Sequence, residues 1–196
     1  HPRALLVTAS RRHPKLVDAS FTAHDAHIPA AEAAALGALA PPLDFAALSS
    51  YRYLIAADGH GWQASLAAKL MLGSVVISHD SYYPTWFQPL LFFGEHLLLV
   101  DAQWRGLPAA VRWLRGDDAT ARRIARQGEA RIEELLREEH LVGYVRDLIH
   151  EYQRLMVPEE GAPSAVRLYH RFCGAGKAHF CSHARPGRPP KFDDRS

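Results

Sequence analysis

Tyr51-Arg52-Tyr53-Leu54-Ile55-Ala56-Ala57 runs into Asp58-Gly59, and after a helix-forming stretch Ser74-Val75-Val76-Ile77-Ser78 repeats the run of β-formers. The first reads as a strand ending in a turn, the second as the best strand in the chain. Between them, Trp62 to Leu72 has helical composition and stops at Gly73. A strand, a helix and a strand in succession predict βα units on a parallel sheet. Downstream, a loop rich in aromatics (Tyr82, Tyr83, Trp86, Phe87, Phe92, Phe93) leads to another apolar strand, His96 to Val100. Three helical stretches follow, at about Gly106 to Leu114, Asp118 to Glu139 and Leu141 to Met156. Asp117 or Asp118 is placed to cap the second. Its Ile124, Ile132, Leu135 and Leu136 fall on one stripe, with Arg122, Arg123, Arg126, Glu133 and Glu134 on the solvated face. Upstream, Ala4 to Thr8 reads as a short buried strand, Val17 to Thr22 as a weaker one, and Pro29 to Leu39 as an Ala-rich helix. The expected fold is α/β: a Rossmann-like domain over residues 1–157, followed by a Pro/Gly/Arg/His-rich tail over 158–196.

Composition narrows the function. The 196 residues, 48% hydrophobic and 22% charged, suffice for one globular domain with a real core. The formal net charge of +2 is too mild for a nucleic-acid binder. Arg alternates with Glu and Asp along the helices instead of forming a basic face. The longest apolar stretch, Pro89 to Val100, is broken by Gly94, Glu95 and His96. It is shorter than the roughly 18 residues that a membrane span needs. The chain opens at His1 with no charged and apolar leader. It therefore reads as a piece of a longer protein.

The segment richest in chemistry is Asp58-Gly59-His60-Gly61-Trp62, a glycine-containing turn between strand and helix. Ligands of open α/β sheets collect at the carboxyl ends of strands, and glycines there permit close backbone approach. The turn is either a phosphate or nucleotide cradle or an ordinary βα turn; it is neither G-x-G-x-x-G nor a Walker loop. Ser65 and Lys69, four apart, share a helix face and either meet a diphosphate there or remain solvated. Trp62, Tyr82, Tyr83 and Trp86 are suited to stacking on a base or sugar, with core packing the alternative. Adjacent Tyr82 and Tyr83 point to opposite sides if extended, so at most one faces a ligand. No D-x-D triplet, Ser-His-Asp set, H-E-x-x-H or P-loop is present. In the tail, His170, Cys173, His179, Cys181 and His183 follow no standard zinc spacing, whereas a Cys173–Cys181 disulfide in an oxidising lumen stays open.

The ordered pieces from Tyr51 to Leu155 resemble glycosyltransferase family 90, the protein O-glucosyltransferase and capsule-associated family. They are Tyr51-Arg52-Tyr53, Asp58-Gly59, Trp62-Gln63-Ala64-Ser65, Gly73-Ser74-Val75-Val76, Ser81-Tyr82-Tyr83 and Glu95-His96. Trp104 to Trp113, the Ile124, Ala125 and Gly128 set, and Glu151-Tyr152-Gln153-Arg154-Leu155 continue the match. Each piece is common; their order at near-constant spacing is specific. The resemblance implies the C-terminal, donor-binding lobe of a GT-B glycosyltransferase. Such an enzyme takes glucose or xylose from a UDP-sugar to a protein or glycan hydroxyl, without a cofactor or required metal, in the endoplasmic reticulum or Golgi. The donor-binding residues it implies are Asp58, Gly59, Trp62, Ser65, Lys69, Ser78, Asp80, Ser81 and Tyr82. The catalytic base it implies is an Asp in an N-terminal acceptor domain that residues 1–50 do not match. Asp18, Asp25 and Asp44 are expected to be surface or capping residues. Animal and fungal members carry an Arg on the helix where this chain has Ser65, while the plant-like branch shows W-S-x-S, close to Trp62 to Ser65 here. Removing a full charge opposite the leaving group costs several kcal/mol of transition-state stabilisation unless something replaces it. The alternative reading is a catalytically silent Rossmann-like binding or scaffold module.

Overall fold

The computed structural model describes residues 2–23, 34–35 and 37–156. Its centre is a three-stranded parallel sheet of β1 (Tyr53–Ala56), β2 (Val75–His79) and β3 (Leu98–Val100), in that spatial order. Tyr53 is in register with Val75, and Ile77 with Leu98. Every residue of β2 is buried, as befits a central strand covered on both faces. Alternation along it divides the interior. Val75 and Ile77 join Leu98, Val100 and Trp104 on one side, while Val76 joins Leu54, Leu66, Leu70 and Leu97 on the other.

The helices close these two layers. α1 (Pro2–Arg12) and α4 (Leu107–Gly116) cover the first. α3 (Leu66–Leu70) covers the second, and α5 (Asp118–Leu135) contributes to both. α4 inserts Leu107, Ala110, Val111 and Leu114, an i, i+3, i+4, i+7 stripe in which each buried leucine contributes about 1.5–3 kcal/mol. α5 begins where Asp117 accepts the N–H of Thr120 (3.0 Å), the cap expected from sequence. Midway, Gly128 lets α5 pass the sheet closely: a Cβ there would overlap the carbonyl oxygen of His96 and press on Leu70 Cδ2 at 3.1 Å. Gly73, at φ +68°, turns the chain from α3 into β2. α6 (Glu138–Met156) follows, and Tyr144 stacks on Trp86 with centroids 4.6 Å apart. Val142, Val145, Leu148, Ile149, Tyr152 and Leu155 of α6 are exposed. None of the helices among the described residues is long and apolar enough to cross a membrane.

Several expectations are corrected. Ala4 to Thr8 is not a strand; it lies within α1. Leu5-Leu6-Val7 is too short a run for periodicity to decide. The outcome follows its surroundings: Pro2 presets the first helical φ, and Leu6 and Val7 turn inward while Leu5 stays exposed. Val17 to Thr22 makes no strand pairing among the described residues. Ser10 Oγ substitutes for a neighbouring strand, donating to Val17 O (3.0 Å) and accepting from Ala19 N (3.0 Å). The helix expected from Trp62 shrinks to α3, because Gln63 is buried and its amide is held at β2. A five-residue helix, α2 (Phe45–Ser49), was not anticipated; Asp44 caps it by accepting from Ala47 N at 2.7 Å. Asp18 accepts the Tyr51 hydroxyl at 3.1 Å. Its carboxylate holds the phenol pKa above the usual value, through that hydrogen bond first and its charge second. Asp25, most of the helix expected over Pro29 to Leu39, and the tail with its Cys173, Cys181 and histidines lie outside the described residues.

Candidate functional site

All three strands end on the same side, and the chain leaving each end carries the polar residues. β1 delivers Ala57-Asp58-Gly59, β2 delivers Asp80-Ser81-Tyr82, and β3 delivers Asp101 and the turn to Trp104. Asp58 is the hub. Although only 3% exposed, it is engaged at three points. Its carboxylate accepts from Ser81 Oγ (2.7 Å), its N–H donates to His79 Nε2 (3.0 Å), and its carbonyl accepts from Arg3 Nε (3.1 Å). Ser81 Oγ also accepts from the N–H of Tyr83 (3.0 Å). Burying a carboxylate requires such partners, and here they also tie the β1 turn to the β2 loop.

The expected donor-binding residues divide by orientation. Gly59 and Ser65 are half-buried, while Trp62 (62% exposed), Tyr82 (80%) and Asp80 face solvent. Ser65 stands at the start of α3 without a side-chain capping bond. Ser78 lies inside: it is fully buried and its hydroxyl donates to Gln63 Oε1 at 2.9 Å, which closes it to a ligand in this arrangement. Lys69 does not turn outward beside Ser65. Its Nζ donates to the carbonyl of Ile55 at 2.7 Å, on the open side of β1. Desolvation lowers its pKa below 10.5, and the nearby charge of Arg3 lowers it further.

Sequence reasoning missed two residues here. Arg3, in the first turn of α1, brings its guanidinium onto the Asp58–Gly59 turn; Nη2 stands 3.0 Å from where a Gly59 Cβ would sit. Reading Ala4 to Thr8 as a strand hid it. A helical reading, with Pro2 opening the helix, places Arg3 at a helix start, yet gives no hint of which turn it meets. His79 is the other: fully buried at the end of β2, it links Asp58 to Asp80. Trp104, with its indole against His79, has φ +62°, a conformation that costs about 1–3 kcal/mol in a residue with a side chain. Asp101 offsets that strain by accepting from Gln103 N (2.9 Å) and Gly106 N (3.0 Å). Burial raises the Asp101 pKa, but the N–H groups of Gly106, Gln103 and Arg105 and the Arg105 side chain outweigh it. The net shift is below the usual 3.8.

A strand-end cluster with a fixed guanidinium, a glycine turn and outward aromatics is suited to a phosphorylated ligand with a flat or sugar-like part. The pattern of glycosyl transferase family 90 matches residues 1–173. The chain belongs to that family. Human protein O-glucosyltransferase 3 is 28% identical over 155 residues, covering 76% of this chain and 29% of the human protein. Its rat counterpart is 26% identical over 186 residues, covering 86% of this chain and 35% of the rat protein. The chain spans about a third of the length of these curated relatives. The family 90 match begins at residue 1, so α1 and Arg3 lie within it, whereas the motifs noticed in sequence begin at Tyr51.

Proposed function

We propose that this chain is the donor-binding part of a UDP-sugar-dependent glycosyltransferase of GT-B architecture, transferring glucose or xylose to a protein or glycan hydroxyl. The observation carrying this reading is Arg3 on the Asp58–Gly59 turn. It supplies at the carboxyl end of β1 the positive charge that Ser65 lacks. In the transfer, the acceptor oxygen bonds to the anomeric carbon as the bond from that carbon to the phosphate oxygen breaks. The electron pair leaves on UDP, and the acceptor proton passes to a base on a separate acceptor domain. This chain's part is to hold the diphosphate as its charge grows, through Arg3, the Gly59 backbone and Ser65, with no required metal. Trp62 and Tyr82 offer faces for the base or sugar, while Asp58, Ser81, Ser78 and Lys69 hold the turn and loop in place. Asp80 lies at the rim. The lumen of the endoplasmic reticulum or Golgi is the compartment consistent with such acceptors.

Calorimetric titration with UDP, UDP-glucose and UDP-xylose in EDTA tests this. Saturable binding of UDP is expected. Arg3→Met should weaken it roughly 10- to 150-fold, the effect of about 1.5–3 kcal/mol for a hydrogen bond to a charged group. Ser65→Ala should weaken it by less. Absence of UDP binding by the folded protein would refute the donor reading. It would leave the silent scaffold, which Ser65 in place of an arginine favours.

A further inference from the structure

His79 is fully buried, and both of its ring nitrogens are engaged. Nε2 lies 3.0 Å from the backbone nitrogen of Asp58, which can only donate, so Nε2 must accept and carries no proton. The ring proton then sits on Nδ1 and is donated to the carbonyl of Asp80 at 2.9 Å. One neutral tautomer satisfies both bonds; the other satisfies neither, and an imidazolium would leave the Asp58 N–H facing a second donor. The Asp58 carboxylate is 3.6 Å from Nε2. That separation is too long for a hydrogen bond, and Ser81 already engages the same carboxylate oxygen.

The ring is held in turn by Trp104, edge-on with centroids 5.0 Å apart and planes at 69°. Trp104 Nε1 donates to the carbonyl of Pro2 at 2.8 Å, fixing the residue immediately before Arg3. Arg3 returns to the carbonyl of Asp58. A closed circuit results: Pro2 to Trp104, Trp104 to His79, His79 to Asp58, Asp58 to Arg3. It joins residues that are 102 positions apart at its widest and fixes the α1 cation, the β1 turn and the β2 loop against one another.

We propose that His79 is a positioning residue for donor binding: in its Nδ1–H tautomer it staples the Asp58 turn to the Asp80 loop and, through Trp104, registers Arg3 over that turn. The inference rests on the donor-binding reading above. His79 itself is buried and touches no ligand; it acts through the geometry of Asp58, Gly59 and Arg3.

The test uses UDP titrations of the 196-residue chain with His79→Phe, His79→Gln and Trp104→Phe, each also in an Arg3→Met background, together with ¹⁵N NMR of the imidazole. The wild-type ring should show a protonated Nδ1 and an unprotonated Nε2. His79→Phe keeps a ring against Trp104 but loses both hydrogen bonds, and should weaken UDP binding roughly tenfold. His79→Gln restores an acceptor for Asp58 and should recover part of that loss, which a role in packing alone would not produce. In the Arg3→Met background, Trp104→Phe should have little further effect on UDP affinity, because its influence runs through Arg3. The opposite tautomer, full UDP affinity in folded His79→Phe, or equal effects of Trp104→Phe with and without Arg3 would each overturn the proposal. Should His79→Phe fail to fold, the tautomer read by NMR and the Trp104 cycle decide, and either the opposite tautomer or an uncoupled cycle overturns it. Failure of the wild-type protein to bind UDP would sink the donor reading itself, a result distinct from any of these.

Discussion

Two glycines on neighbouring helices should respond to the same substitution with opposite signs. Gly128 lies where α5 crosses the sheet, and an added Cβ would overlap the carbonyl oxygen of His96 and press on Leu70 Cδ2 at 3.1 Å. Gly143 lies in α6, and an added Cβ there meets nothing within 4 Å. Both gain the intrinsic helix preference of alanine over glycine, about 0.8–1.0 kcal/mol. At Gly143 that gain stands alone. At Gly128 it opposes an overpacking penalty of about 1–3 kcal/mol, towards the upper end here because the obstructing atom is backbone leading into β3. A net loss of about 1–2 kcal/mol follows for Gly128→Ala, which at this chain length lowers Tm by roughly 2–8 °C. Gly143→Ala should raise the stability of α6, read as slower amide exchange along that helix and a Tm unchanged or a few degrees higher. Thermal melts by circular dichroism, paired with hydrogen exchange, give both numbers. A Gly128→Ala protein melting at or above the wild-type temperature would refute the close α5–sheet approach, and with it the account of how α5 serves both layers.

Three further outcomes follow from the site. Gly59→Ala displaces Arg3, whose Nη2 stands 3.0 Å from the new Cβ, whereas Gly61→Ala meets nothing within 4 Å; UDP titration should show weakening in the first and wild-type affinity in the second. Asp101→Asn should be less stable than wild type at neutral pH. The folded-state pKa of Asp101 is depressed, so its contribution is present above the unfolded value of 3.8 and lost as pH falls through the folded pKa. Denaturant titrations from neutral pH down to about pH 3 should therefore show the two proteins converging. For Lys69 the sign reverses. Its folded pKa lies below 10.5, so between the two values the unfolded chain binds the proton and the native chain does not. Wild-type stability relative to Lys69→Met must then rise with pH until about 10.5; a flat or falling difference across the alkaline range would place the ammonium in solvent.

The sheet was legible because Tyr53 to Ala56 and Val75 to His79 are β-former runs bounded by Gly-containing turns, signals contained within a few residues of each strand. The helices from Leu107 onward were legible for the same reason, their apolar stripes being long enough to fix a period. Leu5-Leu6-Val7 is not, since so short an apolar run serves a buried strand or a helix equally. The site divides along the same line. Asp58, Gly59 and Ser81 announced themselves as polar or glycine residues at strand ends. The partner that gives the turn its charge comes from 55 positions away, and no local pattern encodes a pairing of that range. His79 escaped notice because a histidine closing a buried strand carries no spacing signal. Its importance lies in two backbone partners that only the folded chain supplies. Lys69 was placed on the correct helix, but whether its stem runs outward or back over β1 depends on which neighbouring carbonyl needs a donor. Here it is the Ile55 carbonyl, on the side of β1 away from β2, that takes the ammonium.

The charge arrangement at the strand ends argues for an anion more strongly than any single residue does. Folding brings Arg3 close enough to Lys69 to depress the lysine further after burial has already done so. Two like charges drawn together, one of them on the desolvated Lys69, oppose folding, while the Asp58 carboxylate is engaged by Ser81. Arg3 meets the Asp58 residue at its carbonyl, a neutral acceptor. A purely structural turn would be served as well by a neutral donor at position 3. An arginine there keeps a permanent positive charge beside a glycine turn that admits a ligand to the backbone. On the donor-binding reading proposed above, a diphosphate entering that space would gain attraction from both cations and relieve their mutual repulsion, so charge placement that weakens the empty fold would strengthen the occupied one. On the same reading, with the cation delivered from α1, the helix start would need only the Ser65 hydroxyl and backbone N–H groups to complete a cradle.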